Sequence, residues 1–299
     1  MINNLRRRFI IFSVLVISTI VIIVGLAMFV GSPRHTPRDI SPHRYLITLV
    51  LGIVLVFIGS WLLSKKAVEP IEKAWQQQLD FTADASHELR TPIAVITTNL
   101  ELVIDNPDET VASQMKWLKN IEIENKRMAQ LVGDLLTLSR ADTNEQMLDV
   151  ESLMLNEIVA EILIAFEPIA ATKNIELKVQ LTEKLTFSGD RKRMKQLFAI
   201  LVDNALTYMN RSGTVTLNAQ ANSKELMITI ADTGQGIEAE HLDKIFDRFY
   251  RVSKTRTLNQ EGAGLGLAIA KWIVQEHGGT ICVDSIPDIG TTFAIRFPK

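Results

Sequence analysis

Two uncharged apolar runs near the start of the chain constrain it more than any other feature. Phe9–Val30, "FIIFSVLVISTIVIIVGLAMFV", has 22 residues, and Tyr45–Leu63, "YLITLVLGIVLVFIGSWLL", has 19. A helix needs roughly 20 apolar residues to cross a hydrocarbon core about 30 Å thick, so each run is long enough. A cleaved signal peptide competes for the first run, because Arg6, Arg7 and Arg8 precede it. Its apolar stretch exceeds the usual ~7–15 residues, and no convincing small-residue cleavage site follows. The expectation is a two-span membrane protein, with an N-terminal tail at 1–8, spans at 9–30 and 45–63, and a connecting loop at 31–44.

Two spans place both termini on one side. Arg6–Arg8 before the first span and Lys65 and Lys66 after the second favour cytoplasmic termini, weakly, because the loop also holds Arg34, Arg38 and Arg44. That extracytoplasmic loop carries three prolines and is too short to fold a ligand-binding domain. A signal therefore enters through the spans and their lipid, or from a partner membrane protein. His35 and His43 read as solvated loop residues rather than a pH sensor or metal site.

Composition narrows the remainder. The formal net charge of −2 argues against a nucleic-acid reader, since such domains carry a basic excess. Cys282 is the single cysteine, which excludes an intramolecular disulfide framework and a cysteine-rich zinc site.

From Val68 a mostly apolar seam runs through Ile71, Trp75, Gln78, Thr82, Ala85, Leu89, Ile93, Ile96, Leu100 and Val103, at spacings of three and four. This is the pattern of a bundle helix. Two consecutive spacings of four, at 85–89–93, shift its phase beside Pro92, which lacks a helix donor and tends to kink a helix. "DNPDET" (105–110) is a turn, and a second seam follows through Leu118, Ile121, Asn125, Met128, Val132 and Leu135. A two-helix hairpin cannot bury its own stripe, so a homodimeric four-helix bundle is the expected solution. His87 lies off the seam and should face solvent. A neutral imidazole is a usable nucleophile at pH 7. Either Glu88 or Asp84 could orient it by accepting the Nδ1 proton; Glu88 must swing round from the adjacent position, and Asp84 has the better helical spacing.

Beyond residue 146 the pattern becomes mixed. A helix begins near Asn156, its expected N-cap; strands are expected at 175–180, 185–188, 214–219, 226–231, 280–284 and 291–296, with helices at 190–208 and 264–277. Three motifs sit at the loops of this α/β sandwich. "DNALTY" (203–208) offers Asn204, a neutral oxygen ligand suited to Mg²⁺, and Tyr208, a stacking ring. In "ADTGQGI" (231–237), Asp232 can accept from an adenine amine while Gly234 and Gly236 let backbone approach the base. In "GAGLGLAIAKWIV" (262–274), Gly262, Gly264 and Gly266 open a helix whose free N–H groups can cradle phosphates. Each alone is weak. The ordered set points to an ATP site, with "KIFDRFYRVSKTR" (244–256) as a mobile lid.

The chain resembles a known family in "FTADASHELRTP", "LVDNALTY", "DTGQGI", "IFDRFYR" and "GAGLGL", the ordered boxes of the sensor histidine kinases of two-component systems. The match covers about residues 65–299. It implies a linker helix at 64–80, a dimerisation and histidine phosphotransfer domain at 81–145, and a Bergerat-type ATP-binding domain at 146–299. The expected fold class is thus α+β and multidomain. By the same resemblance, His87 takes the γ-phosphoryl group of Mg²⁺-ATP at Nε2, with Glu88 as acid/base, and passes it to an aspartate of a cognate response regulator. Thr91 positions a water for dephosphorylating that regulator, and Leu265 belongs to the nucleotide loop with Gly262, Gly264 and Gly266.

Departures from the family pattern matter. Ile200 stands where a second asparagine is frequent, Thr207 where a basic residue is frequent, and Glu261 where a glycine is common. These weaken the expected phosphate site, and Arg251 is the candidate to compensate. They also motivate a competing reading, a catalytically weak nucleotide-binding membrane scaffold. A related ATPase that only hydrolyses ATP is the third.

Overall fold

The computed structural model describes residues 42–143, 148–182, 184–209, 212–252 and 262–298, together with positions 15, 17–19, 22, 23 and 25. The chain divides into two compact units, Met1–Ala83 and Asp84–Lys299. Most of the first apolar run and its loop, including His35, lie outside the described residues, as do 253–261, which hold the end of the lid and Glu261. The second run falls in helix α1 (Pro42–Ile104), where many side chains are also outside the description. Among the described residues, no helix is long and apolar enough to cross a membrane.

In the second unit, α1 and α2 (Val111–Thr143) form the hairpin. Thr110 caps α2, its Oγ1 accepting from Ser113 N at 3.3 Å. Gln114 closes the turn by donating to the carbonyls of Val103 and Asn106. Midway along, Asn120 Nδ2 donates to Asn99 Oδ1 at 3.2 Å, and Asn99 is buried. Leucines cannot specify register; a paired buried amide can. Helix α1 runs unbroken through Pro92, which is itself buried. Ile93, Leu100, Ile123, Val132 and Leu136 remain exposed on the hairpin.

The rest is an α/β sandwich. Strands β1 (Val150–Met154) and β3 (Thr186–Asp190) pair antiparallel, while β2 (Ile175–Leu181), β4 (Gly213–Ala221), β5 (Glu225–Asp232), β7 (Gly290–Pro298) and β6 (Thr280–Ile286) form a five-stranded sheet in that order. Only β2–β4 is parallel in it. Alternation buries Leu226, Ile228 and Ile230 of β5 and Phe293, Ile295 and Phe297 of β7. Helices α3 (Leu155–Thr172), α4 (Arg191–Thr207) and α6 (Gly266–Glu276) complete the core; a one-turn helix, α5 (Ala239–Leu242), precedes the lid.

Two local expectations change. Strand β1 has no strand signal of its own: "VESLM" is held by pairing with β3, far along the chain. Asn156 is not an N-cap. Helix α3 starts at Leu155 after Met154, without a side-chain cap. Instead, Asn156 Oδ1 accepts from Leu185 N at 2.9 Å, tying α3 to the turn before β3. The opposite holds at α4, where Asp190 Oδ1 accepts from Arg193 N at 3.1 Å. Phe198, wholly buried on α4, should lose about 3–5 kcal/mol of stability as Phe198→Ala. Ile164→Ala, at a position 71% exposed, should cost under about 0.5 kcal/mol. Urea unfolding of the purified chain followed by tryptophan fluorescence separates the two.

Candidate functional site

Helix α4 creates one wall of the site by its own periodicity. Met194, Leu197, Phe198, Leu201, Val202, Ala205 and Leu206 are buried, which turns Ile200, Asp203, Asn204 and Thr207 to the other side. All four line a cleft of about 840 Å³. Tyr208, at the C-cap of α4, lines it too.

The glycine-rich loop supplies the second wall, with Gly262, Gly264, Leu265 and Gly266. Gly264 has φ +72°, and a Cβ there would sit 2.9 Å from the Tyr250 carbonyl oxygen, so only glycine fits. The carbonyl of Gly264 accepts from Phe249 N at 3.0 Å, joining the loop to the base of the lid. Leu265 is buried and anchors the loop. Helix α6 begins at Gly266 with no side-chain cap, which leaves its first N–H groups to be satisfied from the cleft. Tyr250 also lines the cleft, its hydroxyl bonded to His241 Nδ1 at 2.7 Å.

The third wall comes from the hairpin: Glu88 and Pro92 of α1, and a face of α2 that includes Arg127, Leu131 and Asp134. Glu88 is half-buried, while its neighbour His87 and Thr91 are exposed on the same helix. Burial pushes the Asp134 carboxyl up from its ordinary range, against a hydrogen bond from Gln130 Nε2 at 3.0 Å.

Asp232, Gly234, Gly236 and Arg251 do not line this cleft. Asp232 ends β5, Gly234 and Gly236 lie in the turn after it, and Arg251 follows Tyr250 at the base of the lid. Asp232 Oδ1 accepts from Gly234 N at 2.8 Å and Thr291 N at 3.3 Å. Burial nonetheless raises its carboxyl above the ordinary range, the two N–H groups opposing. The turn reaches the cleft through Tyr208, whose carbonyl accepts from Gln235 N at 3.4 Å. Gly290, with φ +147°, leans on the Asp232 carbonyl, and any Cβ there would collide with it. Sequence reasoning missed Gly290, His241, Arg127 and Asp134, none of which lies inside a recognisable motif.

The geometry defines a class: an exposed histidine on a helical hairpin, joined to an α/β domain whose glycine loop opens a helix. Comparison places both halves. Residues 77–144 match the His Kinase A (phospho-acceptor) domain. Residues 189–299 match the histidine kinase-, DNA gyrase B-, and HSP90-like ATPase family. The sensor histidine kinase RppB of Synechocystis is 34% identical over 84% of this chain and 56% of its own length. The sensor protein SrrB of Staphylococcus aureus is 36% identical over 75% of this chain and 38% of its own. The structure of Acinetobacter baumannii histidine kinase AdeS superposes with a TM-score of 0.58 at 28% identity, covering 71% of this chain and 97% of that one. The chain belongs to the sensor histidine kinases, and spans 38% to 56% of the length of these curated relatives.

The raised Asp232 carboxyl carries a sign. A group whose folded pKa exceeds its unfolded value binds more protons in the native state, so its contribution to stability falls as pH rises from the unfolded value through the folded one. Asp232→Asn should flatten that part of the stability–pH curve and leave the fold no less stable at neutral pH. Urea midpoints measured from pH 4 to pH 7 check this; a steeper fall in the variant would be the opposite sign.

Proposed function

We propose that this chain autophosphorylates His87 from Mg²⁺-ATP and passes the phosphoryl group to an aspartate of a cognate response regulator. One observation carries the reading. The glycine loop at 262–266, Asn204 and Tyr208 line the same cleft as Glu88, the residue next to His87. Phosphoryl donor and acceptor sites thereby adjoin within one folded unit.

Each residue takes one role. Asp232, kept partly from water, accepts from the adenine amine, and Gly234 and Gly236 allow the base to approach. Tyr208 stacks on the purine. The N–H groups of Gly262, Gly264, Leu265 and Gly266 receive the phosphates, and Arg251 at the lid base adds a positive charge to them. Asn204, a neutral oxygen in the cleft beside Asp203, suits Mg²⁺ bound chiefly through phosphate oxygens and water. The metal, when bound, neutralises charge on the phosphates. The Nε2 lone pair of His87 attacks the γ-phosphorus as the bond to the bridging oxygen breaks, and ADP leaves. The Nδ1 proton is held by a carboxylate, Glu88 from the cleft side or Asp84 one turn back. Positioning and charge neutralisation supply most of such a transfer.

The same reading includes dephosphorylation of the regulator, with exposed Thr91 positioning the water. It includes a homodimer, which would cover Ile93, Leu100, Val132 and Leu136 in a four-helix bundle. It places the protein in the cell membrane by two spans, at 9–30 and 45–63, with the catalytic part in the cytoplasm and the signal arriving through the spans, the lipid or a partner membrane protein. The domain limits follow as 64–80, 81–145 and 146–299.

A second reading, a nucleotide-binding scaffold with little transfer, is favoured by Ile200, an apolar side chain lining the cleft. Incubating the full chain in detergent with γ-labelled ATP and Mg²⁺ separates the two. Acid-labile, base-stable label is expected on wild type and none on His87→Gln. Label that never appears, or that survives in His87→Gln, sinks the kinase reading. Asp232→Asn should weaken ATP binding by at least about tenfold, the size of one lost charge-assisted hydrogen bond.

A further inference from the structure

The charges around the cleft are unevenly sourced. Four carboxylates line it: Glu88, Glu124, Asp134 and Asp203. A polyphosphate entering that field is repelled unless cations offset it. Among the described residues, the α/β domain contributes no lysine or arginine to the lining, and Thr207 is neutral. The two cations present, Lys126 and Arg127, both come from α2 of the hairpin.

They are not equivalent. Lys126 Nζ is paired with Glu122 at 2.6 Å, and its side chain is 73% exposed. Arg127 meets Glu124 only at the edge of contact, 4.0 Å, and is more enclosed at 42%. Ile123, Arg127, Leu131 and Asp134 follow at spacings of four, four and three, so they share one helix face. Leu131 is buried in the same cluster as the α/β core, which turns that face toward the glycine loop. A guanidinium there is suited to phosphate oxygens, which it can meet with two parallel N–H groups.

We propose that Arg127 of the hairpin is a phosphate-binding residue of the nucleotide site, supplying from α2 a cation that the described α/β lining of the cleft does not. This rests on the nucleotide-binding reading above. It makes full affinity for the phosphate tail depend on the hairpin lying against the α/β domain, while the base is held by the α/β domain alone. Binding and docking are then linked: the nucleotide favours the arrangement that places its γ-phosphate beside α1.

The test is affinity for ATP, ADP and adenosine, measured on the full chain in detergent by competition against a fluorescent ATP analogue. Arg127→Ala is expected to weaken ATP about 3- to 10-fold and ADP less, and to leave adenosine within about twofold. Arg127→Lys should recover part of the ATP affinity, and remains informative if the alanine variant folds poorly. The effect on ATP should shrink as salt rises. Equal loss for ATP and adenosine means Arg127 acts only by shaping the fold, and unchanged ATP affinity means it does not touch the phosphates; either overturns the proposal. If wild type binds ATP no better than Asp232→Asn does, the nucleotide-site reading itself fails, a result distinct from both.

Discussion

The seating of α2 on the α/β core is the contact on which the composite cleft depends. Leu131 and Leu138, at 6% and 2% exposure, belong to one buried cluster with the side chains of that core, and α2 packs against α6. Burying a leucine contributes about 1.5–3 kcal/mol, so two of them make an attachment that holds without locking. The strength suits the chemistry. Under the proposed reading, a histidine that receives a phosphoryl group from one surface and hands it to another protein needs a donor that can approach and withdraw.

Polarity in the cleft follows from that seating. The α/β domain lines the cleft with the glycine loop, Asn204 and the Asp203 carboxylate, and the hairpin lines it with Glu88, Glu124, Asp134 and both cations. Neither half holds the whole site. Within the α/β domain the surroundings of Asp232 are closely tied: Asp232 is gripped by two N–H groups, Gly290 closes on its carbonyl, and Ser285 bridges Ile237 to Gly290. Under the proposed reading, recognition of the base is preorganised, while the charge around the phosphates is completed by docking.

The parts of this arrangement legible in the sequence are those where chemistry demands a residue type. Gly264 needs a left-handed backbone against Tyr250, Asp232 needs a carboxylate at a strand end, and the alternating seam needs a partner. These leave local signatures. What was not legible depends on distant chain. Strand β1 exists because β3 lies beside it; Asn156 has cap chemistry but is captured by Leu185; Gly290 is compelled by a carbonyl nearly sixty residues away. Arg127 and Asp134 belong to an ordinary charged helix until α6 is known to lie against it. Ile200 read as a defect in a metal site, and the structure adds that its Cγ2 would sit 3.3 Å from any Cβ at Gly266, so it also packs against the start of α6.

The central claim is that the cleft delivers a phosphoryl group to one imidazole. Tandem mass spectrometry of the full chain after reaction with Mg²⁺-ATP, under conditions that preserve phosphoramidates, tests it most directly. The account predicts phosphate on His87 and on no other residue. Phosphate on a different side chain, or ATP turned over with His87 unmodified throughout, would contradict it.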